Sequence, residues 1–130
     1  MRIFLASLAA ACILSLGLVV SLADDTKESP RVTGVLIDQA CGAKMMDKDD
    51  PEKAAAEHPR ACAMKEACEK SGYAVISGKT MWKLDAKGNT LAKEFLAKST
   101  KDADIRVLVE GAKKGDEIAV EGIVAAPEAK

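Results

Sequence analysis

Residues 105–124, "IRVLVEGAKKGDEIAVEGIV", constrain the fold more than any other stretch. Ile105, Val107 and Val109 alternate with Arg106, Leu108 and Glu110. Beyond a Lys-Gly-Asp turn, Ile118, Val120 and Val124 are expected on one face. A period of two marks a strand with one buried side, and two such runs joined by a short glycine-bearing turn make a β-hairpin.

Three more β-type runs lie upstream. In "RVTGVLIDQACG", Val32, Val35, Leu36 and Ile37 form a short, branched-residue run that reads as a strand. Gly34 inside it suggests a bulge or sharp coil of the kind used at barrel corners. "GYAVIS" and "KTMWKLD" form a second hairpin around Ser77-Gly78-Lys79. "AKGN" then reads as a turn into a short helix, "TLAKEFLAKS", with Leu91 and Phe95 on one face and Asn89 or Thr90 as cap. Between the first two strands, residues 43–71 read as a helical insertion. Asp50 is its expected N-cap and Pro51 its first helical residue, Pro59 interrupts it and opens a second turn, and Ser71-Gly72 ends it. Five strands with a helix between the third and fourth describe a mainly β domain with short helices: a five-stranded OB-like barrel with a helical insertion between strands 1 and 2. A five-strand α+β sheet is the alternative.

The first 23 residues stand apart. Arg2 is followed by an uncharged run, residues 3–23, that ends in Ser21-Leu22-Ala23, the charged start, apolar middle and small-residue exit of a secretory signal. The run is also long enough for an uncleaved membrane anchor. A lipoprotein cleavage at Cys12 fits less well, because it would leave an apolar segment on the mature chain. The expected layout is a signal peptide at 1–23, a polar leader at 24–30 and one domain at 31–126, in a secreted or periplasmic protein. Contact with the membrane would come only through an uncleaved signal segment. Cleavage after Ala23 removes one basic residue and no acidic one, taking the formal charge from −1 to −2. No basic excess remains to neutralise a phosphate backbone, so nucleic acid is not an expected partner.

Cleavage also removes Cys12 and leaves Cys41, Cys62 and Cys68 beside the only histidine, His58. Three cysteines cannot all pair within one chain. Thiolate sulfur and imidazole nitrogen make a zinc or copper donor set, and Cys41, His58, Cys62 and Cys68 together supply three sulfurs and one nitrogen. His58 and Cys62 are four apart, which a helix would place on one face. Cys68 lies about 240° further round a continuous helix, so it joins only if the helix bends or ends. An oxidising compartment permits the other reading, a disulfide from Cys41 to Cys62 or to Cys68. Cys62 and Cys68 are separated by roughly 9 Å of rise on a regular helix, too far to pair with each other. A bridge from Cys41 would close some twenty residues and contribute about 3 kcal/mol. Met45, Met46 and Met64 flank the cluster, as copper(I) ligands or as gap-filling core residues.

The strings "GVLIDQACGAK", "SGYAVISGKTMWKLDAKGN" and "VLVEGAKKGDEIAVEGI", with a His and paired Cys between the first two, resemble a family of small secreted bacterial domains of unknown function. The resemblance covers residues 32–123 and implies an OB-like barrel, export and a shared Cys/His cluster, with no established activity. "MMDKDDPEKAAAE" makes the gap between Cys41 and His58 longer here than in that pattern.

Other chemistries find no motif. "DKDDPE" lacks the glycine and terminal glutamate of a calcium loop and suits a helix N-terminus. There is no C-x-x-C-H, no C-x-x-C, no G-x-S-x-G and no glycine-rich phosphate loop. Tyr73 and Trp82 are candidate ligand-stacking residues on the barrel. The expectation is an exported binding domain of the cell envelope, not an enzyme by any visible signature, with the cluster acting as a staple or a soft-metal site. A periplasmic copper or zinc handling protein is the alternative, and a thiol-redox protein the next.

Overall fold

The computed structural model describes residues 29–128, so the expected signal peptide and most of the leader lie outside the described residues. Strand β1 (Arg31–Asp38) leads into four short helices, α1 (Gln39–Met45), α2 (Pro51–Ala56), α3 (Arg60–Ala63) and α4 (Glu66–Lys70). The chain continues through β2 (Tyr73–Ser77), β3 (Thr80–Leu84), α5 (Ala86–Lys98), β4 (Arg106–Lys114) and β5 (Glu117–Ala125). The strands close into a barrel in the order β1-β2-β3-β5-β4, with β3 and β5 parallel and the other pairs antiparallel. This is the five-stranded OB-like barrel, with the insertion between β1 and β2. Among the described residues no helix is long and apolar enough to cross a membrane.

Closure depends on β1. Its first half pairs with β4 and its second with β2, and Val35 faces partners on both sides. Gly34 sits at that crossover, where an added Cβ would lie 2.3 Å from the Ile76 carbonyl oxygen. The glycine therefore serves a close approach of two backbones.

The chain builds two apolar clusters. Val32, Leu36, Val75, Leu84, Val107, Val109, Ile118 and Val120 fill the barrel, and Ala92 and Leu96 of α5 join them. Val35, Ile37 and Ile76 point outward, yet they too are buried, because Ala55, Met45 and Met46 of the insertion cover them. Both faces of β1 are thus occupied, which is why its apolar residues run consecutively instead of alternating. Met45 and Met46 pack as gap-fillers there, while Met64 is exposed.

Three sequence expectations change. Helix α5 starts at Ala86 instead of Thr90, with the Asp85 carboxylate accepting from the Gly88 N–H at 2.8 Å. Gly88, read as part of a turn, is helical because the helix lies against β5 there; a Cβ would meet Val120 Cγ2 at 2.5 Å. Asn89, freed from capping, accepts from the Tyr73 N–H at 2.8 Å. Val124 is 54% exposed, not on the face of Ile118 and Val120. The register explains this: Gly111 pairs with Val120 and Glu110 with Gly122, so Glu121 is extra and the alternation reverses, turning Ile123 inward. Lastly, α1 begins at Gln39, four residues before the expected start of the insertion.

Asp85→Ala removes a cap and is expected to lower stability by about 1 kcal/mol in urea unfolding. A loss near zero would show that α5 is held by packing alone.

Candidate metal centre

Asp38 closes β1 opposite Tyr73 and caps α1, accepting from the Cys41 N–H at 2.9 Å. That cap fixes the Cys41 side chain in the first turn of α1, beside the end of the barrel. The far end of the insertion returns to the same place. The Gln39 N–H donates to the Gly72 carbonyl at 2.8 Å, and the Ala40 N–H donates to Ser71 Oγ at 3.2 Å. Ser71 Oγ in turn donates to the Cys68 carbonyl at 2.6 Å. Gly72 takes a φ of +83°, and a Cβ there would crowd Gln39 Nε2 at 2.8 Å. These bonds seat Cys68 next to Cys41.

Cys62 arrives because the insertion is not one helix. Helix α3 stops at Ala63 and α4 starts at Glu66, with Lys65 between them in extended conformation. The break removes the angular separation that a continuous helix would impose. Arg60 anchors α3 from outside, donating to the carbonyls of Lys101 at 2.9 Å and Leu96 at 3.1 Å. The Tyr73 hydroxyl anchors it from inside, donating to the Ala63 carbonyl at 3.2 Å. His58 follows α2, and Pro59, extended, caps α3, so His58 and Cys62 do not share a helix face as their spacing suggested.

The four expected donors come together around a fifth that sequence reasoning missed. The sulfurs of Cys41, Cys62 and Cys68 lie within 4.8 Å of one another, and so do one atom each of Asp38, Cys41 and His58. Cys41 belongs to both groups. All three cysteines are free thiols in the structure, so the bridge from Cys41 to Cys62 or Cys68 is not the state it describes. Sulfurs bound to one zinc at about 2.3 Å stand roughly 3.8 Å apart, so the trio needs little contraction to share an ion.

Asp38 supplies the sharpest constraint. Its side chain is fully buried, and Oδ2 has no hydrogen-bond partner among the described residues. Nε2 of His58, on a side chain only 8% exposed, has none either and stands 3.8 Å from that oxygen. The separation is too long for a hydrogen bond. It falls within the roughly 3–4 Å that two donors span when each lies about 2.0–2.2 Å from one ion. Two buried, facing, unpaired polar atoms are costly unless a proton or a cation joins them.

Electrostatics reinforce the picture. Burial, then the Asp38 carboxylate and the neighbouring thiols, push the Cys41 thiol up to about 12. Burial and Asp38 also raise Cys68. Burial holds His58 below its ordinary value despite the attraction of Asp38, which favours the neutral imidazole that ligates metals. A thiol raised in this way is a poor nucleophile on its own, whereas a bound cation reverses the effect by stabilising the thiolate. The donors present can hold a metal ion. Asp38→Asn keeps the helix cap but removes the charge. It is expected to weaken zinc binding by more than about a hundredfold, as loss of a ligand oxygen should, and to speed alkylation of metal-free Cys41 at pH 8, since its thiol pKa falls. An unchanged alkylation rate would show that Asp38 does not govern the thiol.

The candidate stacking residues are not among the donors. Tyr73 is 1% exposed inside the barrel, which leaves no ring face for a ligand. Trp82 packs partly against the same core and carries the Lys113 ammonium 4.5 Å above its ring. The acidic run divides its labour: Asp50 caps α2 at the Lys53 N–H, and Glu52 accepts from Arg106 Nη1 at 2.6 Å. No protein-family model, curated protein or solved structure matches the chain.

Proposed function

We propose that this chain is an exported domain of the cell envelope whose helical insertion binds a soft or borderline metal ion, zinc in the first place. The observation that carries the reading is the facing pair of buried, unpaired atoms, Asp38 Oδ2 and His58 Nε2, beside a sulfur trio that shares Cys41 with them. Zinc accepts thiolate, imidazole and carboxylate together, so the mixed donor set suits it. Copper(I) is the second reading, favoured by the sulfur trio taken alone, because it would need neither nitrogen nor oxygen. The centre joins the end of β1 to the end of the insertion, and its cysteines are half-buried, so an ion there would be held firmly yet remain accessible to exchange.

The test is a titration of reduced protein with zinc against a chromophoric chelator, repeated with copper(I), across pH. One equivalent of zinc should bind, with protons released. Because the free thiols are raised, protons compete more strongly as pH falls, so affinity should drop steadily from pH 8 to pH 6. Binding that shows no pH dependence would rule out thiolate ligation. Tighter copper(I) binding that survives Asp38→Asn and His58→Ala would select the second reading.

A further inference from the structure

A cleft of about 680 Å³ opens on the barrel between the last turn of α5 and the ends of β4 and β5, lined by none of the Cys/His cluster residues. Its lining includes Phe95, Ile105, Ala126 and Pro127, with Lys98, Lys101 and Arg106 as its cations. Small-molecule sites occupy about 300–1,000 Å³ and combine an apolar body with a few polar groups. We infer that this cleft binds a single-chain lipid anion, an alkyl tail bearing a carboxylate or phosphate head.

The charge around the cleft selects the anion. Three cations line it against one carboxylate, Glu128, in a chain whose formal net charge is −1. Glu128 pairs with Lys101 at 3.5 Å, and Arg106 is engaged by Glu52 and Asp104. Lys98 makes no ion pair among the described residues and projects from the last turn of α5, so its ammonium is available to a head group. The end of a helix ordinarily presents carbonyl oxygens that repel an anion. Here the Leu96 carbonyl accepts from Arg60, and the Phe95 and Leu96 carbonyls both accept from the Ser99 N–H, so that repulsion is blunted. The tail has its own surface: Phe95 is half-buried against the barrel core, and Ile105 forms part of that core at the cleft wall. A head at Lys98 with a tail over Phe95 and Ile105 satisfies both halves of an amphiphile. None of the candidate metal donors lines the cleft.

Isothermal titration of the mature chain with dodecanoate, dodecyl phosphate and neutral dodecanol, each below its aggregation concentration, tests the assignment. One of the anions should bind saturably at one per chain, and the tighter of the two identifies the head group. Lys98→Glu, an exposed change, should weaken binding about tenfold or more. Ala126→Trp should fill the cleft and abolish binding, with circular dichroism to confirm the fold. If that variant does not fold, Lys98→Glu still decides. Failure of both anions to saturate, equal binding of dodecanol, or unchanged affinity in Lys98→Glu would each overturn the inference.

Discussion

Cys41→Ser is expected to weaken zinc binding by more than about a hundredfold while leaving the barrel folded. Removing a group that only supports a ligand costs about 10–100-fold in metal affinity, and removing a ligand costs more. Cys41 is the one residue common to the sulfur trio and to the Asp38/His58 group, so neither group keeps three donors without it. Its main-chain N–H, which Asp38 caps, is untouched by the substitution. Its side chain packs only at the edge of the outer apolar cluster, so the stability cost should stay within about 1 kcal/mol. Chelator competition gives the affinity and far-ultraviolet circular dichroism gives the fold. Met64→Leu, an exposed change near the cluster, is the control and should leave affinity unchanged. Retention of zinc within a few-fold in Cys41→Ser would remove Cys41 from the centre.

Two glycine substitutions separate the geometry of closure from ordinary strand propensity. Gly34→Ala places a Cβ 2.3 Å from the Ile76 carbonyl oxygen and 2.8 Å from Val75 Cγ1, and the first of these is backbone that no rotamer change can move. Overpacking a core costs about 1–3 kcal/mol when side chains can yield. Where β2 must instead move off β1, about 3 kcal/mol or more is expected, a large share of the 5–15 kcal/mol typical of a domain. Gly122→Ala in β5 meets nothing within 4 Å and should be neutral or slightly stabilising, because alanine narrows the unfolded ensemble. Urea midpoints of the two variants should therefore diverge widely. Similar midpoints would mean that the β1–β2 approach is looser than described.

Most of the barrel was legible in the sequence. The Lys-Gly-Asp and Ser-Gly-Lys turns place Gly115 and Gly78 at positive φ, +63° and +59°, as tight hairpin turns require. Alternation marks β4 and β5, because a half-buried strand leaves a local imprint on its own residues, while short β-type runs mark β1, β2 and β3. What escaped was non-local. Asp38 looks in sequence like any acid at the end of a strand; its place among the candidate donors follows from burial by segments twenty and thirty residues away. "ACAMKEAC" reads as one helix, and only the anchoring of α3 by Arg60 and Tyr73 shows why it breaks where it does. Val124 was misplaced because a single extra residue at Glu121 inverts every side chain beyond it. Gly88 read as a turn because glycine usually marks one, yet here it makes room for Val120.

The central claim, a metal ion held by Cys41, His58, Cys62 and Cys68 with Asp38, is tested most directly by intact mass spectrometry. Protein exported to the periplasm would be measured native and denatured, with and without alkylation. One zinc per chain is expected in the native spectrum, lost on denaturation, with three alkylatable thiols in the denatured chain. A native mass without metal, two hydrogens lighter than the reduced chain and with a single alkylatable thiol, would contradict it and make Cys41 a disulfide staple.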